Sequence, residues 1–279
     1  MTMRHTAAWV AFTTAALVAA SGCGTEGAKT AVKAVDKADK AMAALARATD
    51  RTEGLGSAEV RMSTDLGNGD GPVTMEGTFS WGKGYAYDVQ MDTKAAGMQT
   101  LQDAPEIHCL FVDGAYYYDV DPQPSGPLRG KEWMKVDASA VLGEKGARSI
   151  SGSAGSPTAS MKGLKYANDV EDLGAQTVNG HRATHYRAVV DQAHLGKFRS
   201  VYSDKDSLMG SMTGGASSLT MDIWVDDKDL PVRMKQKVGA LTVTMDFERF
   251  GRTATVKAPP AGRVADLTDV IKKQQSRQG

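Results

Sequence analysis

The sequence predicts an α+β protein built mainly from one large antiparallel sheet. After Gly56 the spacing of apolar residues changes from the three-and-four period of a helix to the alternation of strands. About ten alternating segments then follow one another across short turns, without the strand–helix–strand order of a parallel sheet. Because each segment is apolar on one side only, we expect one solvated face and one buried face.

The N-terminal residues 1–22 have the pattern of a secretory signal peptide. Arg4 gives a basic start, an apolar core too short to span a bilayer follows at 7–20, and small residues precede Cys23. A cysteine in this position resembles the bacterial lipobox, in which the cysteine is diacylated and becomes the first mature residue. We therefore expect a lipid anchor on Cys23 that holds the protein at the cell membrane, on its extracytoplasmic side.

A helix is predicted shortly after this anchor. Residues 23–28 form a short tether, and apolar residues then recur at helical spacing over 29–50, where neither glycine nor proline interrupts. Gly54 and Gly56 predict its end. At about 3.3–3.6 Å per residue, such a tether keeps the following domain, residues 29–279, close to the membrane.

The remaining elements follow from alternation and turn residues. Asp113-Gly114 and Asn179-Gly180 predict tight two-residue hairpin turns. The predicted strands are 58–66, 73–81, 85–91, 107–112, 115–120, 169–178, 183–190, 219–225, 232–238 and 241–250. Short helices are expected at 137–142, 192–207 and 266–275, and loops rich in glycine and serine at 143–160 and 210–218.

Composition and motifs argue against several function classes. Lys plus Arg and Asp plus Glu each number 33, so we expect no nucleic-acid partner. With Cys23 acylated, Cys109 is the remaining cysteine, and its apolar neighbours predict a buried, unreactive thiol. No nucleophile elbow, phosphate-binding loop or dinucleotide motif occurs in the sequence. We therefore expect a protein that is not an enzyme and has no cofactor.

No metal site is predicted either. His181 and His185 lie on one predicted strand, where residues four apart stand about 13 Å from each other, too far to share a zinc ion. The loop around Asp70 lacks the carboxylates that a calcium site needs. Strand acids such as Asp222 and Asp246 are expected to be solvated on the polar face.

The apolar side of the predicted sheet is large for the few helices that could cover it. It is rich in methionine, a flexible side chain that suits surfaces accepting varied apolar ligands. Pattern alone leaves two interpretations open, a packed core and a ligand cavity. The residues predicted to line such a cavity are Val60, Met62, Phe79, Trp81, Tyr87, Met91, Met221, Ile223, Met234, Val243 and Met245.

Several segments resemble the LppX/LprG-type envelope lipoproteins. These are the lipobox with its following helix, the Val-Asn-Gly-His-Arg-Ala-Thr-His-Tyr hairpin at 178–186, the Ile-Trp-Val-Asp-Asp-Lys-Asp-Leu-Pro-Val-Arg-Met segment at 223–234, and Val-Lys-Ala-Pro-Pro at 256–260. That family is similar in fold to the LolA/LolB lipoprotein carriers, which have a curved half-barrel with helices over the mouth of an apolar cavity.

The resemblance implies a function for residues 29–279. They would form a single LolA-like domain that binds an acyl lipid or a lipoglycan in an apolar cavity and carries or presents it at the cell envelope. A different interpretation stays open, in which the concave face is solidly packed and the protein is an envelope interaction or stress-sensor protein with a protein partner.

Overall fold

The computed structural model describes residues 25–69, 71–151, 156–164, 167, 169–191, 216, 218–251 and 253–275. The chain divides into two compact units, Met1–Val35 and Asp36–Gly279. Helix α1 (Thr25–Leu55) begins in the first unit. The sheet and the remaining helices belong to the second.

Helix α1 is longer than the sequence predicts. It begins at Thr25, so residues 25–28 are helical and the prediction of an extended tether over 23–28 is wrong for them. The helix runs through Gly27 in spite of the low helix propensity of glycine, so composition does not mark where it begins. It ends where Gly56 takes a φ of 72°, a conformation that favours glycine. The buried residues Ala41, Leu45 and Ala48 form its apolar stripe.

A single sheet of twelve strands forms the body of the second unit. In spatial order the strands run β12-β6-β5-β4-β3-β2-β1-β11-β10-β9-β8-β7. The sheet is curved and unclosed, which confirms the predicted α+β half-barrel. The strands are β1 (Ser57–Asp65), β2 (Val73–Ser80), β3 (Ala86–Asp92), β4 (Glu106–Val112), β5 (Ala115–Asp119), β6 (Trp133–Asp137), β7 (Asp169–Val178), β8 (His181–Asp191), β9 (Ser218–Val225), β10 (Pro231–Val238), β11 (Leu241–Phe250) and β12 (Val264–Asp266).

Most of these strands confirm the alternation read from the sequence. The two hairpin turns are also confirmed, since Asp113 and Asn179 have φ values of 53° and 50° and a glycine follows each. Strands β6 and β12 were not predicted. Strand β6 follows a proline-rich segment, and β12 has three residues that are held by parallel pairing with β6. Three residues are too few to show a period.

The predicted loop at 143–160 is wrong for most of its described residues, because they are helical. Helix α2 spans Ala138–Ser149 and helix α3 spans Pro157–Gly163. Gly143, with a φ of 69° and a ψ of 168°, interrupts α2 with a non-helical kink. The Ser156 side chain accepts a hydrogen bond from the backbone N–H of Thr158 to cap α3. Small residues here bend and cap helices. The predicted signal peptide (1–22) with Cys23, the predicted helix at 192–207, and residues 152–155, 210–215 and 217 of the predicted loops lie outside the described residues.

The predicted helices at 137–142 and 266–275 are confirmed by α2 and by helix α4 (Thr268–Gln275). Asp137 caps α2, since its Oδ1 accepts a hydrogen bond from the backbone N–H of Ser139 at 2.8 Å. The main core lies on the concave face, where α1 and α3 pack against the sheet. On the convex face, Val256 from the β11–β12 connection packs against Leu110 and Trp133 in a smaller cluster.

Candidate apolar binding face

Strand pairing places five methionines in one row across the concave face. Met75 of β2 pairs with Met91 of β3 on one side and with Met62 of β1 on the other. Met62 pairs in turn with Met245 of β11, and Met245 with Met234 of β10. Because paired residues on neighbouring strands point to the same side, these side chains form a continuous methionine row over five strands.

The structure brings every residue predicted to line the cavity into one apolar cluster. The fully buried members are Val60, Phe79, Met221, Ile223, Met234 and Met245, and the partly buried ones packed against them are Met62, Trp81, Tyr87, Met91 and Val243. Helix α1 covers part of this cluster with Ala41 and Leu45, and α3 covers part of it with Met161. Whether these residues bind a ligand remains a prediction.

The methionine row differs in burial from one end to the other. Met234 is 1% exposed, whereas Met62, Met75 and Met91 keep accessible surface in the middle of the sheet. Beside the row, the Sγ of Cys109 lies 3.3 Å from the Sδ of Met91. Burial raises the pKa of this thiol to about 12, which keeps it protonated. The prediction that Cys109 is a small buried residue is confirmed.

An aromatic array extends the concave face over β2 to β5. Its ring centroids lie 5.7 Å apart for Phe79–Tyr87 and Tyr87–Phe111, and 4.9 Å apart for Phe111–Tyr116. We define the array as Phe79, Tyr85, Tyr87, Phe111, Tyr116 and Tyr118. Only Phe79 and Tyr87 were predicted as site residues. Alternation within β5 could have indicated that Tyr116 and Tyr118 share a side.

The convex face carries polar groups that pair with one another. The carboxylate Oδ1 of Asp222 lies 2.7 Å from Nε2 of His185 and accepts a hydrogen bond from Nε of Arg187 at 2.8 Å. Arg233 donates two hydrogen bonds to Asp246, at 2.5 and 2.9 Å. The expectation that Asp222 and Asp246 are simply solvated is therefore wrong. Neighbouring strands place basic side chains opposite both acids, and Asp222 is only 8% exposed.

His185 is a buried member of this polar network. Its ring stacks on Trp224 with centroids 4.1 Å apart, and its Nδ1 lies 3.1 Å from Nε2 of Gln176. His181 lies exposed at the start of the same strand. Within the described ranges, no group of three or more His, Cys, Asp or Glu side chains is arranged to hold a metal ion. No helix in that part of the chain combines the length and apolarity needed to cross a bilayer.

Two cavities lie outside the methionine row. An open groove of about 700 Å³ between α2, α4 and β6 is lined mainly by polar and charged residues, among them Lys135, Arg148 and Asp266. A cavity of about 60 Å³ lies next to Trp81 and Tyr85, where α3 approaches the aromatic array. The groove contains none of the predicted lining residues, and the small cavity contains Trp81 of that set beside the polar side chains of Glu53 and Lys162.

Two solved structures share this fold over most of the chain. The LprF structure from Mycobacterium bovis aligns with a TM-score of 0.52 and 14% identity, covering 80% of this chain and 98% of LprF. The LppX structure from Mycobacterium tuberculosis aligns with a TM-score of 0.50 and 13% identity, covering 78% of this chain and 99% of LppX. At such low identity the likeness establishes the fold alone.

Two Streptomyces proteins resemble the chain in sequence. A Streptomyces coelicolor protein, named as a candidate lipoprotein, is 27% identical over 242 residues, which cover 82% of this chain and 75% of the relative. An uncharacterised 31.2 kDa protein from the rplA–rplJ intergenic region of Streptomyces griseus is 25% identical over 250 residues, covering 83% and 81%. No family model matches the chain.

Proposed function

We propose that this chain, which has the LolA-like fold of the LppX/LprG-type lipoproteins, is a membrane-anchored carrier or presenter of an acyl lipid or lipoglycan. The anchor is the lipid on Cys23, and the ligand lies on the concave face. The protein works outside the cytoplasm, at the cell envelope, and acts by binding. Its shape and apolar area suffice for this task, since binding requires no reacting group.

The observation that carries the proposal is the incomplete burial of the methionine row. Protein interiors leave few voids larger than a water molecule, and a core methionine is normally sealed by its neighbours. Met62, Met75 and Met91 lie in the interior strands of a twelve-stranded sheet, yet all three retain accessible surface. Val243, on the same face, does so as well. This apolar surface supports the assignment of a ligand to the concave face.

The chemistry of the face fits an acyl chain. Every side chain in the predicted set is apolar or aromatic, so the face offers dispersion contacts and removes hydrocarbon from water. Burying an acyl chain contributes about 0.8 kcal/mol per CH₂, which for a long chain is enough to compete with a bilayer. Methionine side chains adapt to chains that differ in length or branching.

A pair of bulky substitutions on adjacent residues of β11 tests the proposal. Val243 faces the concave side, whereas Thr244 pairs with Ser63 and Lys235 on the convex side. We expect Val243→Trp to fill the binding space and weaken binding of a fluorescent long-chain fatty acid by about tenfold or more. Thr244→Trp, the matched control, should bind the probe like the wild type.

Stability measurements make this experiment decisive. In an open cavity, Val243→Trp should change the free energy of unfolding by less than about 1 kcal/mol, whereas overpacking a closed core costs about 1–3 kcal/mol. If the wild type binds no acyl probe and Val243→Trp destabilises the domain, the concave face is a packed core. The protein would then act by contacting another envelope protein.

A further inference from the structure

The aromatic array differs from the rest of the concave face because it carries hydroxyl groups. Four of its six rings are tyrosines, namely Tyr85, Tyr87, Tyr116 and Tyr118. The strand pairs Tyr87–Phe111, Phe111–Tyr116 and Cys109–Tyr118 place three of them on the same side as the methionine row. Tyr85 joins them through its ring contacts with Tyr87 and Phe111, at 6.1 and 5.7 Å.

These four phenol groups have no hydrogen-bond partner among the described residues. Tyrosines on a protein's inner faces normally find one. In the described part of the chain, Oγ1 of Thr52 is a fully buried side-chain oxygen without a hydrogen-bond partner. None of the four phenol oxygens is both fully buried and unpartnered in this way. All four tyrosines are partly buried residues. Four hydrogen-bond donors without a partner among the described residues therefore lie on an otherwise apolar face.

Among the described residues, no charged group contributes to the pKa shifts of the four phenols. Burial raises the pKa of Tyr116 to about 12, and it also raises the pKa values of Tyr85, Tyr87 and Tyr118, with smaller contributions from neighbouring phenols and the Cys109 thiol. No described lysine, arginine or carboxylate contributes. By contrast, the pKa of Tyr117, on the convex face, responds to burial and then to Lys135, Asp113 and Asp266.

This difference restricts the kind of ligand group that can lie beside the four phenols. Lys162 lines the small cavity beside Tyr85, but its charge is already balanced by Glu53. A phosphate or carboxylate placed beside the phenols would therefore be removed from water with no unpaired cation lining that cavity, which is strongly unfavourable. An uncharged acceptor, such as an ester carbonyl, would receive hydrogen bonds from the phenols and avoid that penalty.

We propose that Tyr85, Tyr87, Tyr116 and Tyr118 form a subsite for the uncharged ester group of an acyl-ester lipid, whose hydrocarbon chain lies along the methionine row. Phe79 and Met75 are four residues apart on β2, and Tyr87 and Met91 are four apart on β3. Such residues share a face at a separation of about 13 Å. The subsite thus lies within the reach of one acyl chain from the row. This inference rests on the proposed lipid-binding function and adds selectivity for uncharged lipids.

The test compares two lipids that differ by one phosphate. The purified full chain is titrated with a diacylglycerol and with the phosphatidic acid of the same acyl chains. We expect the diacylglycerol to bind about tenfold more tightly. The double variant Tyr87→Phe/Tyr116→Phe keeps both rings but removes two hydroxyls, so it should lose about tenfold in diacylglycerol affinity. It should bind an alkylpyrene, a probe without an acceptor group, like the wild type.

Tyr117→Phe is the matched control, because Tyr117 lies on the same strand but faces the convex side. It should leave the affinity for both lipids unchanged, and thermal unfolding checks that each variant is folded. Should the double variant misfold, Tyr116→Phe alone gives the same comparison with a smaller loss.

The outcomes separate this inference from the function on which it rests. If the wild type binds alkylpyrene but does not prefer diacylglycerol, or if the Tyr→Phe variants bind diacylglycerol normally, the ester subsite is wrong while apolar binding stands. If the wild type binds neither lipid nor alkylpyrene, the proposed function itself fails.

Discussion

The two faces of the sheet are built from the same strands, yet they satisfy their side chains in different ways. On β1 and β2, Met62 and Met75 point to the concave side, and the alternate residues Arg61 and Glu76 form a 2.7 Å ion pair on the convex side. The convex face pairs its polar groups with one another. The concave face keeps partly accessible apolar residues and four phenol oxygens that have no such partner in the described part of the chain.

On the convex face the polar side chains pair with one another, whereas on the concave face a bound ligand could add contacts to the accessible apolar side chains. His185, Arg187 and Asp222 satisfy one another on β8 and β9, so that region has no need of a ligand. On the concave side, the described residues seal one end of the methionine row and leave the other end partly accessible. A change of residue should therefore affect stability where the side chain is buried or paired, and binding where the concave face keeps accessible apolar surface.

The largest effect is expected for Phe79, which is 0% exposed at the centre of the concave core. Phe79→Ala should lower the free energy of unfolding by about 3–5 kcal/mol, because it creates a cavity. Thr78, the preceding residue, faces the convex side and donates a hydrogen bond to Glu59 at 2.9 Å. Thr78→Ala should cost about 1 kcal/mol. Equal losses in denaturant unfolding would contradict the difference between the faces.

A smaller effect is expected within the convex network. Asp222→Ala removes the shared partner of His185 and Arg187 and should cost about 1.5–3 kcal/mol, the usual value of hydrogen bonds to a charged group. Arg47→Ala breaks the ion pair with Asp229, whose side chains are 59% and 37% exposed, and should cost less than about 1 kcal/mol. Chemical denaturation measures both. A loss at Asp222 no larger than that at Arg47 would show that burial adds nothing to the network.

The smallest effect is expected at the edge of the convex face. Burial alone would raise the pKa of Asp266, but hydrogen bonds from Lys135 and Thr268 lower it to about 2. Because this pKa is depressed in the folded state, its stabilising contribution is complete above about pH 4 and is lost as the pH falls toward 2.

The Asp266 side chain is 49% exposed, so solvent screening keeps this contribution below about 1 kcal/mol. The stability difference between the wild type and Asp266→Asn should shrink as the pH falls from about 4 to 2. A difference that is constant over this window would exclude the ion pair as its source. Urea unfolding at several pH values provides the measurement.

Local features of the sequence determined most of the strands and which residues share a face. Alternation has a period of two, so it assigns Met62, Phe79 and Met234 to one side whatever the pairing of the strands. Asp113-Gly114 and Asn179-Gly180 adopt positive φ angles for local steric reasons, which made their hairpins readable. The helix α1 pattern was equally local, although its beginning was misplaced because no residue marks it.

Tertiary structure decided how these local units meet. Met62 and Met245 are far apart in the chain, and only the pairing of β1 with β11 joins the two halves of the methionine row. Pairing likewise set Arg187 and His185 against Asp222, and it gave β12 a partner in β6. Residues 144–149 and 157–160 became helical where capping and packing outweighed a composition typical of loops. Side-chain period and turn geometry are encoded within a few residues, whereas register between distant strands depends on contacts that no local pattern contains.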